Sequence, residues 1–200
     1  MKHELNIWVL GGDMRQAKLA QLLAEDGHTV HAYALENGLE AAPGLIPEQN
    51  LARISKADCV IFPLNVSLGG ELLNAPLSLS QHPLPPILDR LSPGQFVCGG
   101  RLDPQTLALA RERGLTIQDY FAREELAVAN AVPTAEGAVQ LAMEHLPITI
   151  HGSRVLVIGF GRVGWLTAQR FHALGARVSV AARKYEQQAW GQAMGLGTEH

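Results

Sequence analysis

Short apolar runs recur along the chain and alternate with segments whose apolar residues return every three or four positions, the signature of buried strands alternating with amphipathic helices. Residues 5–10 predict a strand, 15–26 a helix, and 29–34 a second strand after the turn at Gly27-His28. Residues 58–63, containing CVIFP, predict a third buried strand, and 95–98 a fourth that ends at Gly99-Gly100. Asp103 stands where a helix cap belongs, with Pro104 at the first helical position and Gly114 just past the end of a helix over 104–113. A short fifth strand follows at 116–118. Residues 65–86 are rich in Gly, Pro, Ser and Leu, have weak periodicity and predict an ordered loop. A helical stretch comes after the fifth strand, broken at Pro133, and its second part, 134–144, has the Thr134 hydroxyl available as a cap.

From Arg154 to Arg183 the pattern sharpens into strand, glycine turn, helix, strand: RVLVIGFGRVGWLTAQRFHALGARVSVAAR. The turn is Gly159-Phe160-Gly161-Arg162-Val163-Gly164. Its glycines permit a tight turn, close approach of backbone to a pyrophosphate, and close packing of helix on strand, while free N–H groups of the helix start face the anion. The tip of the following strand, where NAD-binding domains carry a carboxylate, falls at Ala182, and Arg183 and Lys184 come next. Two cations and no acid favour a 2′-phosphate, so NADP is the expected cofactor, with NAD left open.

Together these elements predict an α/β protein of two Rossmann-like, doubly wound parallel-sheet domains. The first, 1–146, ends in an interdomain helix. The second, 147–200, is the start of an NAD(P)-binding domain, truncated at its C-terminus, and little turnover is expected of these residues alone.

Composition narrows the function. Among 200 residues, 47% are hydrophobic and 18% charged, and the net charge of −3 provides no basic field for nucleic acid. No segment is long and apolar enough to cross a bilayer, and the short N-terminal apolar run ends in Gly-Gly and an acid, unlike an export signal. Only two cysteines occur, Cys59 and Cys98, both in or at the end of strand-like runs, where they read as small buried hydrophobes of a reducing cytoplasm. The eight histidines have no metal-ligand spacing, and no metal site is expected.

The first turn, Gly11-Gly12-Asp13-Met14-Arg15-Gln16, is no dinucleotide fingerprint. Amides at the helix start, joined by Arg15 and Gln16, suit a small anion such as a carboxylate; equally, Asp13 reads as a helix cap and Arg15 as a solvated charge. Asn65, Ser67, Gly69 and Gly70 after the third strand, and Gly99, Gly100 and Arg101 after the fourth, belong at the same sheet edge. Gly12, Asp13, Arg15, Gln16, Asn65, Ser67 and Arg101 are therefore the candidate substrate-binding residues, and Gly159 to Gly164 with Ala182, Arg183 and Lys184 the candidate cofactor-binding ones. Glu136 is the one candidate acid or base, with complementing the helix dipole as its alternative role.

The segments VLGGDMRQ, CVIFPLNVS, NAVPTAEGAVQLAMEH and ITIHGSRVLVIGFGRVG, taken together, resemble the A-subunit family of bacterial dipicolinate synthases. The resemblance implies an NADP-linked enzyme of sporulating bacteria, in the mother-cell cytoplasm, that oxidises a cyclic lysine-pathway intermediate of the dihydrodipicolinate type to pyridine-2,6-dicarboxylate. It also implies a partner, the flavoprotein-like B subunit, leaves self-association open, and supplies no catalytic residue that maps with certainty. The residues themselves leave two other readings: a 2-hydroxyacid or alanine dehydrogenase, and a non-catalytic nucleotide-binding or scaffold subunit.

Overall fold

The computed structural model describes residues 4–199. The chain begins with β1 (Asn6–Leu10), α1 (Met14–Glu25), β2 (Thr29–Tyr33), β3 (Leu45–Glu48) and β4 (Cys59–Leu64). A hairpin of β5 (Ser67–Leu68) and β6 (Leu72–Leu73) and a short helix, α2 (Leu84–Leu88), precede β7 (Phe96–Gly100), α3 (Pro104–Glu112) and β8 (Ile117–Asp119). Then come α4 (Glu124–His145), β9 (Arg154–Ile158), α5 (Arg162–Ala173), β10 (Arg177–Ala181), α6 (Tyr185–Ala193) and β11 (Gly197–Glu199). These elements form two compact units, Met1–Ala122 and Arg123–His200.

The first unit is one six-stranded parallel sheet in the order β3-β2-β1-β4-β7-β8. That is the strand order of dinucleotide-binding sheets, with its reversal between β1 and β4. Trp8, Leu10, Val60, Phe62 and Val97 line one buried face with Leu84 and Leu88 of α2. Ile7, Val9, Val30 and Ala32 line the other face, where α1 presents Ala17, Ala20 and Ala24. Small residues at three- and four-residue spacing let α1 lie close on the strands.

The loop expected over 65–86 is ordered by specific polar contacts and carries the hairpin and α2. Glu36 ends a hydrogen-bond chain that fixes every proton: Tyr33 donates to His82 Nδ1 (3.0 Å), His82 Nε2–H to Ser78 (2.8 Å), and Ser78 to Glu36 (2.6 Å). Burial keeps His82 below its ordinary value, consistent with the neutral ring this order requires. Asp103 clasps the same loop from the other side. It caps α3 through the Thr106 amide (2.9 Å), and its second oxygen accepts from Ser67 (2.5 Å) and Thr106 (2.6 Å) hydroxyls.

The second unit is a parallel sheet, β11-β10-β9, with α5 and α6 completing two strand-helix-strand steps. Ala168, Phe171, Val178, Val180 and Leu196 form its core, while Leu156 and Ile158 of β9 are exposed. α4 packs against α5 and so belongs with this unit, whereas the sequence pattern assigned it to the first domain with a boundary near residue 147. The expected break at Pro133 does not occur. α4 runs through it, and the Thr134 hydroxyl turns back to the Asn130 carbonyl (3.0 Å) instead of capping a new helix.

Asp103 gives the first test. Partial burial alone would raise its carboxyl, but hydrogen bonds from Ser67 and Thr106 outweigh this and hold it below the ordinary 3.8. A depressed folded-state value means stability that is complete above the unfolded value and lost as pH falls through the folded one. Asp103→Ala is expected to cost about 1–3 kcal/mol near neutral pH. Its thermal unfolding should also show a shallower acid decline below about pH 4 than the parent's, measured by circular dichroism.

Candidate functional site

Because β1, β4 and β7 are parallel neighbours, the residues that follow them gather at one sheet edge, on either side of the β1/β4 reversal. This is the edge where open α/β sheets bind ligands. Gly11 and Gly12 turn the chain there with φ of +54° and +94°, a region that favours glycine. Their amides are used: Gly11 donates to the Tyr33 carbonyl (2.9 Å) and Gly12 to the Asn74 carbonyl (2.7 Å).

Asp13 caps α1 by accepting from the Arg15 amide (3.0 Å), and the Arg15 guanidinium folds back on the same carboxylate through Nε (3.0 Å) and Nη2 (2.8 Å). Arg15 thereby holds the Asp13 carboxyl below its ordinary value while its own side chain remains 60% exposed. Both roles read from the sequence, cap and surface cation, are present in one ion pair. Gln16 points inward instead: it is buried and its Nε2 donates to the Ile61 carbonyl (3.3 Å), tying α1 to β4.

Asn65 is exposed at the edge, its carbonyl accepting from Asn74 Nδ2 (3.1 Å). Ser67 is buried with its hydroxyl committed to Asp103. Arg101 follows β7 with φ +55°, exposed, in a left-handed conformation rare for a side-chain-bearing residue. Asp119 holds it there by accepting from the Arg101 (3.0 Å), Leu102 (3.1 Å) and Phe121 (2.8 Å) amides.

Sequence pattern missed Asn74, Asp119 and Tyr120. The Tyr120 ring fills the space left by Gly100, where an added Cβ would meet it at 2.6 Å, and its hydroxyl donates to the Phe62 carbonyl (3.2 Å). Burial pushes that hydroxyl far above its ordinary value, so it acts as a neutral donor. The only prior signal was position: an acid and a tyrosine directly after a strand.

In the second unit the glycine turn has the geometry its spacing implies. Gly159 has φ +91° and donates to the Ala181 carbonyl (2.8 Å), while Gly161 is the N-cap of α5. A Cβ on Gly161 would meet nothing within 4 Å, leaving the approach to the helix start open. At Gly164 a Cβ would lie 2.0 Å from the Gly159 carbonyl oxygen, so helix and turn approach as closely as glycine alone allows. Phe160 is buried in the core and Val163 is partly exposed.

The Arg162 guanidinium forks onto Glu124 at the start of α4 (2.7 and 2.5 Å). Ala182 is buried, its carbonyl accepting from Gln188 (2.7 Å), and Arg183 and Lys184 are exposed beyond β10, with Lys184 3.6 Å from Glu186. Glu136 lies in mid-helix rather than at a helix start, 3.1 Å from Arg170.

Residues 6–121 match the model of the N-terminal domain of the dipicolinate synthase A subunit. The chain belongs to the A-subunit family of dipicolinate synthases. The dipicolinate synthase A subunit of Bacillus subtilis strain 168 is 31% identical over 199 residues, 98% of this chain and 67% of that protein. The crystal structure of the Bacillus subtilis dipicolinate synthase A chain matches with a TM-score of 0.81 at 30% identity, over 100% of this chain and 68% of that one. A transhydrogenase from Sinorhizobium meliloti shares the fold at 14% identity, with a TM-score of 0.63 over 97% of this chain and 64% of that one. Family membership thus rests on both units, and the fold is Rossmann-like. Among the described residues no helix is long and apolar enough to cross a membrane, and no group of three or more metal-binding side chains occurs.

Gly164→Ala tests the close approach. The added methyl must displace α5 from the Gly159 carbonyl, at an expected cost of about 1–3 kcal/mol. Dinucleotide affinity should fall with it in a fluorescence titration, whereas Gly137→Ala, where a Cβ meets nothing, should leave affinity unchanged.

Proposed function

We propose that the chain is the nicotinamide-dependent oxidoreductase component of a dipicolinate synthase, oxidising a dihydrodipicolinate-type ring to pyridine-2,6-dicarboxylate. The observation that carries this reading is the open N-terminus of α5 behind Gly159 and Gly161, in a chain of this family. The residues fit a dinucleotide. Amides at the start of α5 would hold the diphosphate, and Gly161 leaves the backbone free to approach it. Arg183 and Lys184 would pair with a 2′-phosphate, and the absence of a carboxylate at Ala182 removes the usual discrimination against NADP.

Aromatising a dihydropyridine ring removes one hydride and one proton. When bound, the nicotinamide would supply the hydride acceptor. The protein's task is to orient the ring and its two carboxylates. Arg15, exposed and anchored to the α1 cap, would hold one carboxylate by a charge-assisted pair, and Arg101, held by Asp119, would offer a second cation. Asn65 lies at the same edge as a neutral donor. Glu136 is retained as the candidate proton acceptor; its carboxylate is exposed and lies 3.1 Å from Arg170. The reading includes a partner, the B subunit, and a role in the sporulating mother-cell cytoplasm, both supported by family membership.

Arg15→Ala is expected to weaken pyridine-2,6-dicarboxylate binding at least tenfold while NADP affinity stays within twofold, by isothermal titration calorimetry. Equal dicarboxylate affinity in the variant and parent would remove Arg15 from the site. NADP binding no tighter than that of an unrelated anion would overturn the oxidoreductase reading.

A further inference from the structure

The only two cysteines of the chain, far apart in sequence, meet on one face of the first unit's sheet. β4 and β7 are adjacent and parallel, with Cys59 level with Phe96 and Ile61 level with Cys98. Residues level with each other point to the same side, and so do residues two apart on one strand. Cys59 and Cys98 therefore share a face, two positions out of register. Both side chains are half-buried, neither sealed in the core nor fully in solvent.

This offset decides what chemistry the pair supports. Strands about 4.8 Å apart and a two-residue stagger of about 6.6 Å separate the two Cα atoms by about 8 Å. A disulfide needs less than about 7 Å, so bridging the pair directly requires the sheet to shift. A tetrahedral zinc site is also excluded, because no third His, Cys, Asp or Glu joins the pair among the described residues. What remains is an ion content with two sulfur ligands on opposite sides, which is the preference of soft, closed-shell monovalent cations.

We propose that Cys59 and Cys98 form a two-thiolate site for a soft monovalent cation of the Cu(I) class. Binding is a simple exchange with no change of oxidation state: two S–H bonds are lost, two metal–sulfur bonds form, and two protons are released to solvent. The site bridges β4 and β7 on the face opposite Val60 and Val97, and its occupation would cross-link the two strands whose ends carry Asn65 and Arg101.

The test is an anaerobic titration of the whole chain with Cu(I) against a colorimetric Cu(I) chelator. One equivalent should bind, with a new ultraviolet sulfur-to-copper absorption and release of two protons per ion. Cys59→Ser and Cys98→Ser should each abolish the one-equivalent endpoint. Should either variant lose the parent's circular dichroism spectrum, alkylating one thiol of the folded parent with a single equivalent of iodoacetamide makes the same comparison. No endpoint in the parent, or an endpoint that survives loss of either thiol, overturns the site. Complete conversion of the folded protein to an intramolecular disulfide by diamide also overturns it, because the geometry then suits direct bridging.

Discussion

The proposed nucleotide site depends on one contact distance, that between the first turn of α5 and the end of β9. With no Cβ at residue 164, the helix settles against the Gly159 carbonyl, and its leading amides come to the sheet edge where an anion can approach. Any larger residue at this position would lift the helix away. The other two glycines serve this approach, Gly159 by accepting a φ of +91° and Gly161 by leaving the entrance clear. Arg162 contributes differently from a phosphate ligand, pairing with Glu124 and so tying α4 to the same turn.

In the first unit β3-β2-β1 are ordered as β11-β10-β9 are in the second, but the turn differs. At Gly11-Gly12 the helix-start geometry is occupied from within: the Asn74 carbonyl takes the Gly12 amide, and Asp13 places a carboxylate at the cap. A diphosphate would meet a negative charge there, and a carboxylate ligand would meet Arg15 beside it. Two sheets that open with the same strand-helix-strand step are thus differentiated by what stands over the first helix N-terminus. The long loop is central to this difference, because the Glu36–Ser78–His82–Tyr33 chain and the Asp103 clasp fix the segment that carries Asn74.

Most of the architecture was legible from periodicity. β1, β2, β4, β7, β8, α1 and α3 match their expected spans within two residues at each end, because apolar runs, the Asp103-Pro104 start and terminal glycines are strong local signals. β3 was missed because LIPE carries a proline and an acid and has no alternation. α2 was missed because LPPIL reads as a breaker, though its prolines stand in the first turn, where no amide partner is needed. The continuity of α4 through Pro133 depends on its packing against α5, which no local pattern encodes. For the candidate site residues the sheet edge was legible but the side-chain direction was not. Gln16 and Ser67 turn inward to bond a carbonyl and a carboxylate, and only the assembled sheet shows that Cys59 and Cys98 are neighbours.

The most direct measurement is an NMR titration of the isotope-labelled chain with NADP, following backbone amide shifts. The largest saturable changes should fall at Gly161, Arg162 and Val163, with smaller ones at Arg183 and Lys184. Amide shifts concentrated at Gly11 to Arg15, or none at the start of α5 at saturating NADP, would contradict the account.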